Sequence, residues 1–164
     1  MQPSCNHCAF RSERPFCDMS PEATREFDAI KEQTVLEKGS QLFAEGGPSC
    51  GVYVLCEGRA KLFICGENGK RIVMRVAGPG ELLGLGATLS GDPYEVSAEL
   101  LDTAQVVFIK RKDLLKFLRD NPAICMEVVR RLSDYLHGAY ERVRSIGLSR
   151  ARRTRLPRVR SMAS

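Results

Sequence analysis

The sequence predicts an α+β fold: an antiparallel β body followed by a long dimerisation helix. Two observations predict the body. Between about Thr34 and Lys110 the chain reads as seven short apolar or alternating segments, "TVLEKG", "QLFAEG", "GVYVLCEG", "RAKLFICG", "KRIVMRVAG", "EVSAEL" and "AQVVFIK", broken by glycines roughly every ten residues. That rhythm belongs to a sandwich, jelly roll or barrel. No long helical pattern alternates with the segments, which excludes a parallel α/β sheet. The third observation predicts the helix. Cys125, Val129, Leu132, Leu136, Ala139, Val143 and Ile146 recur at spacings of four and three, the seam of three heptads.

The remaining elements come in order. Residues 1–18 form a cysteine-containing segment without clear periodicity. Ser20-Pro21-Glu22 reads as an N-cap, a first-turn proline and an early acid, opening a short helix to about Ile30. The sensor body spans 19–120 and closes on "RKDLLKFLRD", a short amphipathic helix. Asn121-Pro122 starts the seam helix, 121–147, which Gly147 is expected to end. Gly138 is its weak point, costing about 1 kcal/mol against alanine. A stripe this narrow is best buried by its own copy, so Val129, Leu132, Leu136, Ala139, Val143 and Ile146 are assigned to a homodimer interface. Residues 148–164 read as a basic tail expected to be disordered.

Charge sharpens this division. The 164 residues carry a net +5, but residues 142–164 hold eight arginines and no acid, leaving about −3 for the rest. The tail can meet phosphate backbones but has no means of reading bases. No apolar run approaches 18 residues, so no membrane span is expected, and the start lacks a signal-peptide pattern. Seven cysteines without a secretion signal indicate a reducing cytoplasm, where clustered thiols serve metal or redox chemistry. His7 and His137 are too few and too far apart for a metal-dependent enzyme of cupin type, and no nucleophile–base pair is readable. Catalysis is not expected.

The order of parts, with "EKGSQLFAEGGPSCGVYVLCEGRAKLF", "GELLGLGATLSG" and "DLLKFLRDNPAICMEVVRRLSDYL", resembles the Crp/Fnr family of bacterial transcription regulators over about residues 20–147. The resemblance implies a cyclic-nucleotide-binding-like double-stranded β-roll (jelly roll) that senses a signal, then the dimerisation helix. In the full-length family a helix-turn-helix domain comes next and binds DNA. Seventeen residues after Gly147 are too few for that domain.

The resemblance also raises the question of cyclic AMP. Family members that bind it place a Gly-Glu pair and, about ten residues on, an Arg before Ser/Thr in the cradle between two strands. Here Gly84 and Leu85 stand on the first pair, and Val96 stands where the arginine belongs, before Ser97 and Ala98. A second registration, on Gly80-Glu81, recovers the glutamate but not the arginine. From Val76 to Ile109 there is no Lys or Arg, and five acids instead. Tyr140 falls near the helix positions that meet adenine in those members. A cyclic phosphate without a counter-charge is costly to desolvate. Cyclic AMP is therefore not expected, and Gly84, Leu85, Val96, Ser97, Ala98 and Tyr140 would line at most a neutral pocket.

"CNHCAFRSERPFC" offers Cys5, Cys8 and Cys17 as metal or iron–sulfur ligands. It resembles the N-terminus of the family's oxygen sensors, which implies a fourth cysteine near Val107; this chain has none there. Cys50, beside a Gly-Pro-Ser turn, is the freest candidate to complete the site. Cys56 alternates with Val52 and Val54 and is expected to face the core. A zinc site and a reversible thiol switch remain the other readings of the same cysteines. The expectation is the sensor and dimerisation part of a redox- or oxygen-responsive regulator. The alternative is a stand-alone module of the same fold that binds another small ligand or a partner protein.

Overall fold

The structure is a computed structural model that describes residues 4–14 and 16–153. Helix α1 covers Pro21–Ile30, with Ser20 as N-cap: its hydroxyl accepts from the Ala23 amide at 3.2 Å, and Pro21 opens the first turn. Eight strands come after it: β1 Lys31–Leu36, β2 Gln41–Phe43, β3 Gly51–Leu55, β4 Ala60–Cys65, β5 Arg71–Ala77, β6 Leu82–Leu83, β7 Ser97–Leu100 and β8 Ala104–Lys110. They form two four-stranded sheets in the orders β1-β8-β3-β6 and β2-β7-β4-β5, with every pair antiparallel. This is the expected β-roll. It differs from the sequence reading between β5 and β7, where "GELLGLGATLSG" supplies strand β6 and a one-and-a-half-turn helix, α2 Leu85–Ser90. Short apolar runs with glycines carry no period long enough to show such a helix.

The interior of the roll is built from alternate residues of both sheets, among them Phe43, Leu55, Leu62, Leu83, Leu100 and Val106. The first sheet is buried on its other face as well. Val52 and Val54 of β3 and Val107 and Ile109 of β8 are shut from solvent there. Helix α3, Arg111–Asp120, packs on both strands and against α1. Phe16, Phe27 and Phe117 link the N-terminal segment, α1 and α3, with successive ring centroids 5.9 Å apart. Burial on both faces explains why β3 and β8 read as nearly continuous apolar runs.

Helix α4 covers Pro122–Arg153, 32 residues and about 48 Å. It corrects the sequence reading at Gly147, which lies inside the helix. Gly147 is not among the glycines with positive φ, so it makes no left-handed C-cap, and the next proline is at residue 157. The basic stretch therefore enters the helix as far as Arg153, and the expectation of disorder for 154–164 lies outside the described residues. Residues up to Val128 form one compact unit and those from Val129 a second, so the body runs past the boundary expected at 120. Among the described residues no helix is long and apolar enough to cross a membrane.

Candidate functional site

The cradle of the roll is α2 with the turn that leads into it. Gly84 enters at φ +76° and Gly91 leaves at φ +83°, a backbone that favours glycine at both ends. Leu85, Ala87 and Thr88 are buried, and the Thr88 hydroxyl donates back to the Gly84 carbonyl at 2.7 Å. Ser97 and Ala98 are buried at the start of β7, and Val96 packs on the core beside them. The Ser97 hydroxyl accepts from the Glu45 amide at 2.9 Å.

The space beside Gly84 is filled by Tyr94, which the sequence reading does not single out. Its ring stacks on Phe43 with centroids 4.2 Å apart, and a Cβ on Gly84 would lie 2.7 Å from the tyrosine ring. Its hydroxyl donates to the Gly51 carbonyl at 2.5 Å, while its amide and carbonyl pair with Gly47 and Gly46. Burial, chiefly, pushes its phenol above the usual range. The only signal in the sequence is its position, an aromatic two residues before the cradle's missing arginine.

A cation does reach α2, but at the wrong end for an anion. Arg111 of α3 donates Nε to the Thr88 carbonyl at 2.8 Å and lies against Gly91. It caps the helix C-terminus, where a positive charge belongs. Nor does the second registration recover a ligand: Glu81 accepts from the Gly78 amide at 2.8 Å and pairs with Arg75, closing the β5–β6 turn. Tyr140 lies on α4 in the second unit and is 60% exposed.

The N-terminal cysteines sit on a different construction. Successive tight turns, Cys8 N–H to Cys5 O, Arg11 N–H to Cys8 O and Cys17 N–H to Arg14 O, coil the segment. Its start is tied to α1 and β1. The Cys5 amide donates to Asp28 at 3.1 Å, Lys31 donates to the Cys5 sulfur at 3.2 Å, and Lys31 and Asp28 pair at 2.8 Å. Lys31 is almost wholly enclosed, its side chain 2% exposed. Burial opposes ionisation of Asp28, but hydrogen bonds from Lys31, Ser4 and Cys5 outweigh it and hold the carboxyl at about 2. Burial pushes the Cys5 thiol up despite the Lys31 contact, and pushes Cys17 up to about 11 with help from neighbouring Cys5.

Cys50 precedes β3 and Cys56 comes just after it, so they stand at opposite ends of the strand, roughly 20 Å apart at its usual rise. Cys50 is exposed beside Pro93 and Arg111, away from the N-terminal turns. Val52 and Val54, with which Cys56 alternates in the sequence, lie on the outer face of the sheet, not in the interior of the roll. Val107 is buried on the same outer face. Among the described residues no three His, Cys, Asp or Glu side chains are grouped to hold a single metal ion. Cys5, Cys8 and Cys17 supply thiols, the ligand type that iron–sulfur clusters take.

On α4, Val129, Leu136, Val143 and Ile146 are 49%, 52%, 69% and 59% exposed, with Leu132 and Ala139 half-buried.

Residues 33–121 match the family model described as the cyclic nucleotide-binding domain. The chain is similar to the transcriptional activatory protein AadR of Rhodopseudomonas palustris, 27% identical over 122 residues, covering 74% of this chain and 50% of AadR. It is similar to an uncharacterized protein of Haemophilus influenzae, 31% identical over 107 residues, covering 65% of this chain and 83% of that protein. Among solved structures, the sensor domain of the transcriptional regulator DNR from Pseudomonas aeruginosa superposes with a TM-score of 0.71 at 21% identity, covering 86% of this chain and 95% of that domain. The chain thus spans about half the length of AadR and most of the Haemophilus protein.

Proposed function

This chain belongs to the cyclic nucleotide-binding domain family, among relatives that are regulators of Crp/Fnr type, and from that premise we propose that it is the sensing and dimerising part of a cytoplasmic transcription regulator answering to redox state or oxygen, not to cyclic AMP. The observation that carries this reading is the filled cradle: Tyr94 stacks into the space beside Gly84, and residues 76–109 contain no Lys or Arg. A phosphate there would have to displace a buried, hydrogen-bonded ring and would gain no counter-charge. The chemistry that remains for sensing lies with the thiols. Cys5, Cys8 and Cys17 would hold an iron–sulfur cluster, and such a group supplies a centre that reacts with oxidant and so biases the elements packed on it. This chain's part in that is positional: Lys31 and Asp28 seat Cys5 against α1, and Phe16 seats the segment on Phe27. Exposed apolar residues along α4 support a homodimer, and DNA is the partner proposed for a longer regulator of this type.

The test is calorimetry with cyclic AMP beside anaerobic purification with iron and sulfide analysis. Binding no tighter than millimolar, with iron bound, is the expected outcome. Micromolar cyclic AMP binding would overturn the reading. A stand-alone ligand- or partner-binding module is the second reading, favoured by the Haemophilus relative, 83% of which this chain spans.

A further inference from the structure

We infer that Cys56 is the fourth thiol of the N-terminal cysteine site, in place of Cys50. The first support is strand register. Val52 lies opposite Ile109 and Val54 opposite Val107, and Lys31 of β1 also lies opposite Ile109. Residues opposite one another on antiparallel strands point to the same face. Lys31, Val52, Val54, Val107 and Ile109 therefore share the outer face, and Leu55, Ala104 and Val106 share the interior. Cys56 continues the alternation one step beyond β3, its amide held by the Gln105 carbonyl at 2.8 Å. It points outward, to the side from which Lys31 grips the Cys5 sulfur.

The second support is the path of the N-terminal segment. Phe10 and Arg14 line one cleft with Glu57, Gly58 and Pro79, so the turns between Cys8 and Cys17 lie against the residues immediately after Cys56. Arg14 also abuts Gly80, whose amide donates to the Leu55 carbonyl. Cys5, Cys8, Cys17 and Cys56 are half-buried, as is Cys125 on α4, whereas Cys50 is exposed.

What the site binds rests on the cluster reading above; the placement of Cys56 on the side of the N-terminal turns rests on strand register and on the cleft that Phe10 and Arg14 share with Glu57 and Gly58.

The experiment uses the full chain and two readouts. Metal-free protein is oxidised with diamide, the remaining thiols are alkylated, and peptides are mapped by mass spectrometry. A disulfide from Cys56 to Cys5, Cys8 or Cys17 is expected, with Cys50 recovered alkylated. In parallel, the wild type, Cys50→Ser and Cys56→Ser are reconstituted anaerobically with ferrous iron and sulfide. The wild type and Cys50→Ser should hold equal iron, and Cys56→Ser should lose most of it. If no Cys56 link forms and Cys56→Ser keeps wild-type iron, the inference is overturned while the cluster reading stands. If the link forms but the wild type takes up no iron, the cluster reading fails and the four-thiol site is upheld.

Discussion

Tyr94 replaces a ligand with a side chain, and the consequences are measurable one residue at a time. Tyr94→Phe keeps the stack on Phe43 and deletes the hydroxyl that donates to Gly51, so unfolding in urea should show a loss of about 1 kcal/mol. Grafting the pair that the resemblance implies, Leu85→Glu with Val96→Arg, should not create cyclic AMP affinity. Leu85 is 2% exposed, so the glutamate would be a charge inside the core, and the protein should melt earlier instead. Asp28 sets a pH dependence. Its carboxyl is held near 2 against an ordinary 3.8, so its contribution is complete above about pH 4 and is lost as pH falls through 2. Asp28→Asn should remove roughly 1–2 kcal/mol at neutral pH and flatten the stability profile between pH 4 and 2. None of these roles is legible in the residues alone. Tyr94, Lys31 and Asp28 take their meaning from partners brought close by the fold.

At the scale of elements the periodic signals hold and the punctuation does not. Ser20-Pro21 opens α1 as expected, because capping is a contact within three residues. On the proposed dimer, Leu136→Glu should give a monomer by analytical ultracentrifugation, since each copy would set a charge against the other's apolar stripe. An unchanged sedimentation coefficient would refute the seam. Gly147 reads as a stop in the sequence, yet the helix runs through it with open space around its α-carbon. Gly147→Ala should therefore raise helix content and stability by about 1 kcal/mol. Glycine ends a helix only where the backbone turns left-handed, and the packing of the residues after it decides that, not glycine itself. Helix α2 is illegible for a related reason: six residues, two of them small, hold no period.

Across the whole molecule, the fold class is legible because it rests on patterns repeated many times. Glycine-broken apolar segments imply short antiparallel strands, and a narrow stripe of heptads implies a paired helix, whatever the details of packing. The lack of Lys and Arg from Val76 to Ile109 likewise argues against a bound phosphate without reference to any coordinate. What the cradle holds in place of a phosphate is a tertiary matter, since Tyr94 fills it only because β2 and α2 converge on one side. The cysteines show the same limit. Spacing brings Cys5, Cys8 and Cys17 forward, because a C-x2-C turn is local. Alternation puts Cys56 on the face of Val52 and Val54. It has no power to tell that this face lies outside the roll, against helix α3, because a strand buried on both sides has the same pattern in either direction. Local chemistry and periodicity were thus settled by the chain itself, while the partners of each face were decided only when distant segments packed together.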